Sequence, residues 1–210
     1  MKLKSALLFI LLFAVSAAYS QKFFPGKLIF FNGETRDGLV KIKSSNWKKF
    51  VYYKAGVQSD EQKIKSETVK FVYVFSDQGD TSILENVQFD KKFKRFVDRV
   101  IQGYATLYYC GDGMHLDKHG VIIHTSTYVV GRSQPVFYYD IQRKGERFAT
   151  SLALVSPSKT MFGQDKNFRK SAAEYFKDYP ELVKRIEDKE FTVDDIVKVV
   201  LLYNEHMEGK

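Results

Sequence analysis

Phe93–Cys110, FKRFVDRVIQGYATLYYC, is the most apolar run beyond the first twenty residues, and its reading decides the fold. From Tyr104 onward the side chains alternate. Ala105, Leu107 and Tyr109 point one way, and Tyr104, Thr106, Tyr108 and Cys110 the other. Period two with β-branched and aromatic residues predicts a strand in a pleated, largely buried sheet. In the first half, Phe93, Phe96, Val97, Val100 and Ile101 fit a helical stripe, although an extended run also accommodates them. Gly103 separates the halves and predicts a turn or bulge.

Upstream, Lys27–Phe31 is a short apolar run followed by Asn32-Gly33, and Leu39–Lys43 alternates in strand fashion. An N-terminal hairpin follows, with Glu34, Thr35 and Arg36 in its connection. Phe50–Lys54, Val69–Phe75 and Thr81–Phe89 are further predicted strands. Polar Ala55–Glu67 is a predicted loop, and Asp77–Asp80 a turn. Trp47 is expected to pack at the rim of the sheet. Downstream, a loop is expected from Gly111 to Gly120. Strands follow at Val121–Val130, Val136–Gln142 and Arg147–Val155, separated by Gly131–Pro135 and Lys144-Gly145. Short strands with frequent Gly and Asp punctuation predict antiparallel meanders, and the absence of alternating long helices disfavours a dinucleotide-type parallel sheet.

Composition changes at Ser156-Pro157-Ser158. Phe168, Ala172, Tyr175, Phe176 and Tyr179 recur at helical spacing within Lys166–Tyr179. Pro180 suits the first turn of a second helix that turns Leu182, Val183 and Ile186 inward. Thr192 and Asp195 form a capping-box pattern ahead of a last helix with Ile196, Val199, Val200 and Tyr203 on one stripe. The predicted fold is mainly β (α+β): an antiparallel β-meander or partly open barrel, then about three helices. Its parts are a signal peptide (1–20), a β-rich domain (21–155) and a helical segment packed on it (156–210).

The leader reads plainly. Lys2 and Lys4 precede a 13-residue apolar run, Ala6–Ala18, and Ala18-Tyr19-Ser20 offers small residues to a signal peptidase, so cleavage is expected after Ser20. The run is shorter than the ~20 residues that span a bilayer. Cys110 is the only cysteine, so no internal disulfide forms and no lipid-accepting cysteine follows the leader. The net charge of +8 is scattered, which permits peripheral contact with an anionic envelope surface. Export, with no zinc-finger, RNP or recognition-helix pattern, argues against nucleic acid.

The densest chemistry is Cys110, Asp112, His115, Asp117, His119 and His124. Thiolate, imidazole and carboxylate together could bind a transition metal. Yet His-x3-His is a helical ligand spacing, whereas Gly113, Asp117 and Gly120 predict a turn. The segment is therefore expected to be a solvated hairpin loop. His115, His119, His124 and Cys110 are the only candidate ligands, and no metal, cofactor or catalytic residue is assigned. No nucleophile elbow or phosphate loop occurs. Cys110 is expected to be a small buried hydrophobe. Asp194 and Asp195 are explained by a helix N-terminus. The adjacent pairs Tyr52-Tyr53, Tyr108-Tyr109 and Tyr138-Tyr139 should place one ring in and one out, and the outer rings are a candidate platform for sugar or peptide.

GKLIFFNGETRDGLVKI, FVDRVIQGYATLYY, AAEYFKDYPELVKRI and DIVKVVLLYNEH, in that order after a leader, resemble exported Bacteroidota proteins of uncharacterised activity. Departures are Glu34, where the family carries Asp, and a longer insert from Val97 to Gly103. The resemblance implies a β-rich domain with a helical tail and a periplasmic or extracellular location, and carries over no catalytic residues. The expected function is a non-catalytic binding or scaffolding module for an envelope protein or glycan. A carrier of an amphipathic or lipid ligand and a metal-assisted enzyme using the His-rich loop are the alternatives.

Overall fold

The computed structural model describes residues 22–43, 48–125, 136–156 and 163–209. Residues 1–20, expected to be a leader, with Trp47, residues 126–135 and Pro157-Ser158, to which several expectations attach, lie outside these. Twelve strands come first among the described residues: β1 (Phe24–Phe30), β2 (Thr35–Lys41), β3 (Phe50–Lys54), β4 (Gln62–Lys65), β5 (Val69–Phe75), β6 (Thr81–Gln88), β7 (Lys94–Ile101), β8 (Ala105–Cys110), β9 (Gly113–Leu116), β10 (Ile122–Thr125), β11 (Phe137–Arg143) and β12 (Thr150–Val155). Three helices follow, α1 (Gln164–Tyr175), α2 (Pro180–Glu187) and α3 (Ile196–Glu208). Ten strands make one open antiparallel sheet in the order β12-β11-β8-β7-β6-β5-β1-β2-β3-β4, and β9 and β10 form a separate hairpin. The mainly β, antiparallel architecture with a helical C-terminal segment is as the alternation predicts.

One face of the sheet is covered by the β9–β10 hairpin and the helices, and the opposite, more open face buries a smaller apolar cluster of Val87, Val97, Tyr108, Cys110 and Ala149. On the covered face a cross-strand row runs through Leu28, Val72, Leu84, Asp98, Tyr109 and Tyr139. The β9–β10 hairpin lies over its N-terminal half, burying Met114, Leu116 and Ile122 against Phe24, Leu28, Val40, Val72 and Leu84. The helices lie over the other half, where Phe168, Phe176, Ile186, Val199 and Val200 pack on Leu107, Ile141 and Leu152. α1 rests on β12 and α3 on β8. A short helix is marginal alone, so this shared apolar layer is what holds the three in place.

Two polar clamps fix the helical cover. Asn204 is buried on α3, where its Oδ1 accepts from the Ala105 N–H at 2.7 Å and its Nδ2 donates to the Ala105 carbonyl at 2.9 Å. Both main-chain groups of a strand residue point to one side. For Ala105 that is the side where β7 has already ended, so the amide completes the ladder that β7 leaves short. Gly103 makes the approach possible, since any Cβ there would overlap the Asn204 amide. The second clamp is Arg143 on β11. It donates to the Tyr203 hydroxyl at 2.8 Å, to Asp178 at 3.1 Å and to the Tyr175 carbonyl, while Tyr175 donates to Glu146 at 2.8 Å.

Several expectations are corrected. The first half of the central stretch, open in the sequence between a helical stripe and an extended run, is strand β7. A register shift between Arg99 and Ile101 returns Ile101 to the side of Leu107, so a bulge produces the spacing that imitates a helical stripe. Thr35 and Arg36 belong to β2 rather than to the hairpin connection, and Asp37-Gly38 pair within the ladder. The expected loop Ala55–Glu67 contains β4, a polar edge strand that turns only Ile64 toward the core. The first helix ends at Tyr175, with Tyr179 preceding Pro180 of α2. The Thr192–Asp195 capping box forms, and its hydrogen bonds from Thr192 hold the Asp195 carboxyl below the usual range.

Candidate functional site

The expected solvated loop at 111–120 is half a packed hairpin. Met114 and Leu116 are 1% and 7% exposed because they face the sheet, while His115, between them in β9 and opposite Ile123 in β10, faces away. His124 faces inward with Met114. Its Nδ1 accepts from the Gly111 N–H at 3.3 Å, and its ring stands edge-on to Tyr109. His124 Nε2 is 3.8 Å from Asp98 and has no hydrogen-bond partner among the described residues. His119 sits in the hairpin turn with Nδ1 3.0 Å from Asp77, and Asp117 caps that turn by accepting from the N–H groups of His119 and Val121. Gly120 closes the turn at φ 90°, with Phe24 packed close to its Cα.

Cys110 belongs to the other side of the sheet. It is fully buried, with its thiol donating to Asp140 at 3.7 Å, and burial pushes the thiol up to about 12. Asp140 also accepts from Arg95 at 2.9 Å, and burial raises its carboxyl against the pull of that guanidinium. The four candidate ligands thus occupy the outer side of a hairpin, its inner side, its turn and the opposite sheet face. No grouping of three metal-ligating side chains occurs among the described residues. A turn followed by a strand disperses what a helix would align.

The Tyr pairs also differ from expectation. Tyr52 and Tyr53 are both buried, and Tyr108, on the open side of the sheet, is 2% exposed. Tyr108 therefore offers its hydroxyl rather than a ring face.

What the open face does present is a groove of about 970 Å³. Its floor is built from side chains of five neighbouring strands, β5, β6, β7, β8 and β11. Phe71 stands opposite Glu85, Arg99 opposite Tyr108, and Thr106 opposite Gln142. The Arg99 guanidinium lies 5.4 Å from the Phe71 ring centroid and 3.7 Å from a Glu85 carboxylate oxygen. Tyr108 lies beside the same carboxylate. Burial raises the Glu85 carboxyl above its ordinary value, with Arg99 and Tyr108 opposing it, and burial beside Glu85 raises the Tyr108 hydroxyl as well. A perturbed carboxyl in a cleft marks a candidate site on physical grounds.

Of these groups only Tyr108, through the Tyr108-Tyr109 pair, stood out in the sequence. Glu85, Arg99 and Tyr108 lie far apart along the chain and at solvent-facing strand positions, where a charge is ordinary. The available signal was Phe71 and Tyr73 alternating with Val72 and Val74, which makes both sides of β5 apolar. Family models, curated proteins and solved structures contain no match to this chain. No described helix is long and apolar enough to cross a membrane.

Proposed function

We propose that this is an exported, non-catalytic binding module of a bacterial envelope, which holds an envelope protein or glycan against the open face of its sheet. The observation that carries the reading is the groove itself. It is concave, polar and half-buried, on the sheet face opposite the main helical and hairpin cores, with Glu208 at the end of α3 on its rim. Its residues sit on paired strands, so their positions are set before any partner arrives, which lowers the ordering cost of binding.

The alternatives have less support. A lipid carrier needs a roomy apolar space between sheet and helices; there Leu107, Ile141, Phe168 and Val199 are packed at zero exposure, and the cavity beside them, between Tyr109, Tyr139, Ile196 and Val197, holds about 280 Å³, below the ~300–1,000 Å³ usual for ligand sites. A metal-assisted enzyme using the His-rich loop needs convergence that the hairpin does not provide.

Site-specific photo-crosslinking in the native envelope tests the reading, with a benzophenone side chain in place of Thr106 and, as control, in place of exposed Val57. Capture at position 106 alone is expected, and equal or absent capture would sink the proposal. Export is checked separately by intact mass, which should begin at Gln21. A protein retaining residues 1–20 contradicts that part.

A further inference from the structure

We infer that the ligand of this groove is a saccharide chain, an inference that rests on the binding-module reading. The lining includes a carboxylate (Glu85), a guanidinium (Arg99), an amide (Gln142), two hydroxyls (Thr106 and Tyr108) and an aromatic ring (Phe71), set among further side chains of both charges. Sugar hydroxyls both donate and accept, so they need both kinds of partner, and planar groups with two hydrogen-bonding atoms match adjacent hydroxyl pairs. The C–H face of a pyranose is apolar and packs on aromatic rings, which Phe71 supplies at the β5 end and Tyr104 beside β8.

Other ligand classes fit less well. A phosphate-rich polymer would meet Glu85, Glu146 and Glu208 interspersed among Lys70, Arg99, Arg143 and Lys144, a mixed lining rather than a cationic one, and a lipid chain meets polar walls. A peptide added as an extra strand needs unpaired main chain, whereas the strands flooring the groove are paired with their neighbours. Length points the same way. At ~4.8 Å per strand the five strands span about 19 Å, the reach of an oligosaccharide rather than of a single sugar. The volume lies in the range of ~300–1,000 Å³ usual for ligand sites.

The test is a glycan array of α-linked, β-linked and uronate-containing oligomers, probed with the exported protein. Titration by heteronuclear NMR with the strongest oligomer follows. Saturable shifts at Phe71, Arg99 and Gln142 are expected, with affinity lowered about tenfold or more by Phe71→Ala and by Arg99→Gln. Thr106→Val, which trades a hydroxyl for a methyl at similar volume, should weaken binding while leaving the spectrum dispersed. That outcome separates lost contacts from lost folding.

An array without binding, or binding indifferent to all three variants, overturns the inference. So does a photo-crosslinked partner at position 106 whose capture survives periodate oxidation of its sugars. That partner would be a protein, and the binding-module reading would stand. No crosslinked product at all removes both. Protease digestion of a periodate-sensitive adduct distinguishes a free polysaccharide from the glycan of a glycoprotein.

Discussion

The two faces of the ten-stranded sheet treat polar groups in opposite ways. On the covered face, Asn204 and Arg143 are spent on the protein itself, binding the strand end at Ala105 and the ends of α1 and α3. On the opposite face, Glu85 and Arg99, with side chains only 19% and 14% exposed, meet across strands beside Tyr108 at the wall of the groove. Where a cover buries a polar side chain, an unmet hydrogen bond is costly, so each such group must be a clamp. Where no cover exists, a ligand can replace water over the same kinds of group. The contrast therefore separates residues whose loss should cost folding from residues whose loss should cost binding.

The contrast breaks most visibly if the helices are removed. A chain ending at Val155 exposes Ala105, Leu107, Ile141 and Leu152, which are now at or near zero exposure, and leaves the Ala105 main-chain groups without Asn204. Loss of cooperative unfolding, or aggregation on expression, is the expected result in calorimetry and light scattering. A truncated protein melting at the full-length temperature would show the helices to be an independent module.

Asn204→Ala asks the same question at one residue. It leaves a buried N–H and a buried C=O at Ala105 without partners, a cost of roughly 3 kcal/mol. Chemical denaturation should show that loss with the m-value unchanged. A cost under about 0.5 kcal/mol, the usual range for a surface change, would mean that β8 is not held from α3.

Most of this frame is legible from residue order, and the exceptions have physical causes. Ala105–Cys110 declares a strand because its alternation is strict, and Pro180 and the Thr192–Asp195 pair declare helix starts through local chemistry. β7 is obscured because a bulge at Arg99–Ile101 breaks period two. β4 is obscured because an edge strand keeps only Ile64 apolar. In β9 the alternation of Met114 with Leu116 was present, but Gly113, Asp117 and Gly120 outweighed it as turn signals. Asn204 reads as a polar interruption beside the last helix's apolar stripe, and only the fold reveals that Ala105 waits opposite. The groove is legible only in fragments, Tyr108 and the two-sided apolar β5, since register across four strand pairs brings its residues together.

On the open face the expected effect on stability is smaller and depends on pH. Burial raises the Glu85 carboxyl above its ordinary 4.5, so the folded protein holds that proton more tightly than the unfolded chain. The residue's contribution is therefore whole below the unfolded value and is lost as pH rises through the folded one. Glu85→Gln cannot ionise. Its melting temperature relative to the wild type should move upward between pH 4 and pH 8, whatever constant offset the change at Arg99 introduces. Other groups titrate in both proteins and cancel in the difference. A relative melting temperature that falls across this window would mean that Arg99 and Tyr108 outweigh burial, and that the carboxyl is held charged.

The smallest effect should come from the rim of the hairpin cover, where an exposed polar contact joins two loops. His119 and Asp77 meet at 3.0 Å but are 35% and 47% exposed, so water competes for both partners. Exposed pairs of this kind contribute about 0–1 kcal/mol, and His119→Ala should cost no more. The turn keeps its other supports in that variant. Asp117 still accepts from the main chain at 119 and 121, and the Asp77 N–H still donates to the carbonyl of residue 119 at 3.0 Å. The apolar wedge of Met114, Leu116 and Ile122 is untouched. Hydrogen exchange at Met114 and Leu116 reads the docking directly, and protection there should match the wild type. If His119→Ala strips that protection, the hairpin is latched at its tip rather than held by its apolar side. The N-terminal half of the cover would then rely on a polar clamp as the helical half does.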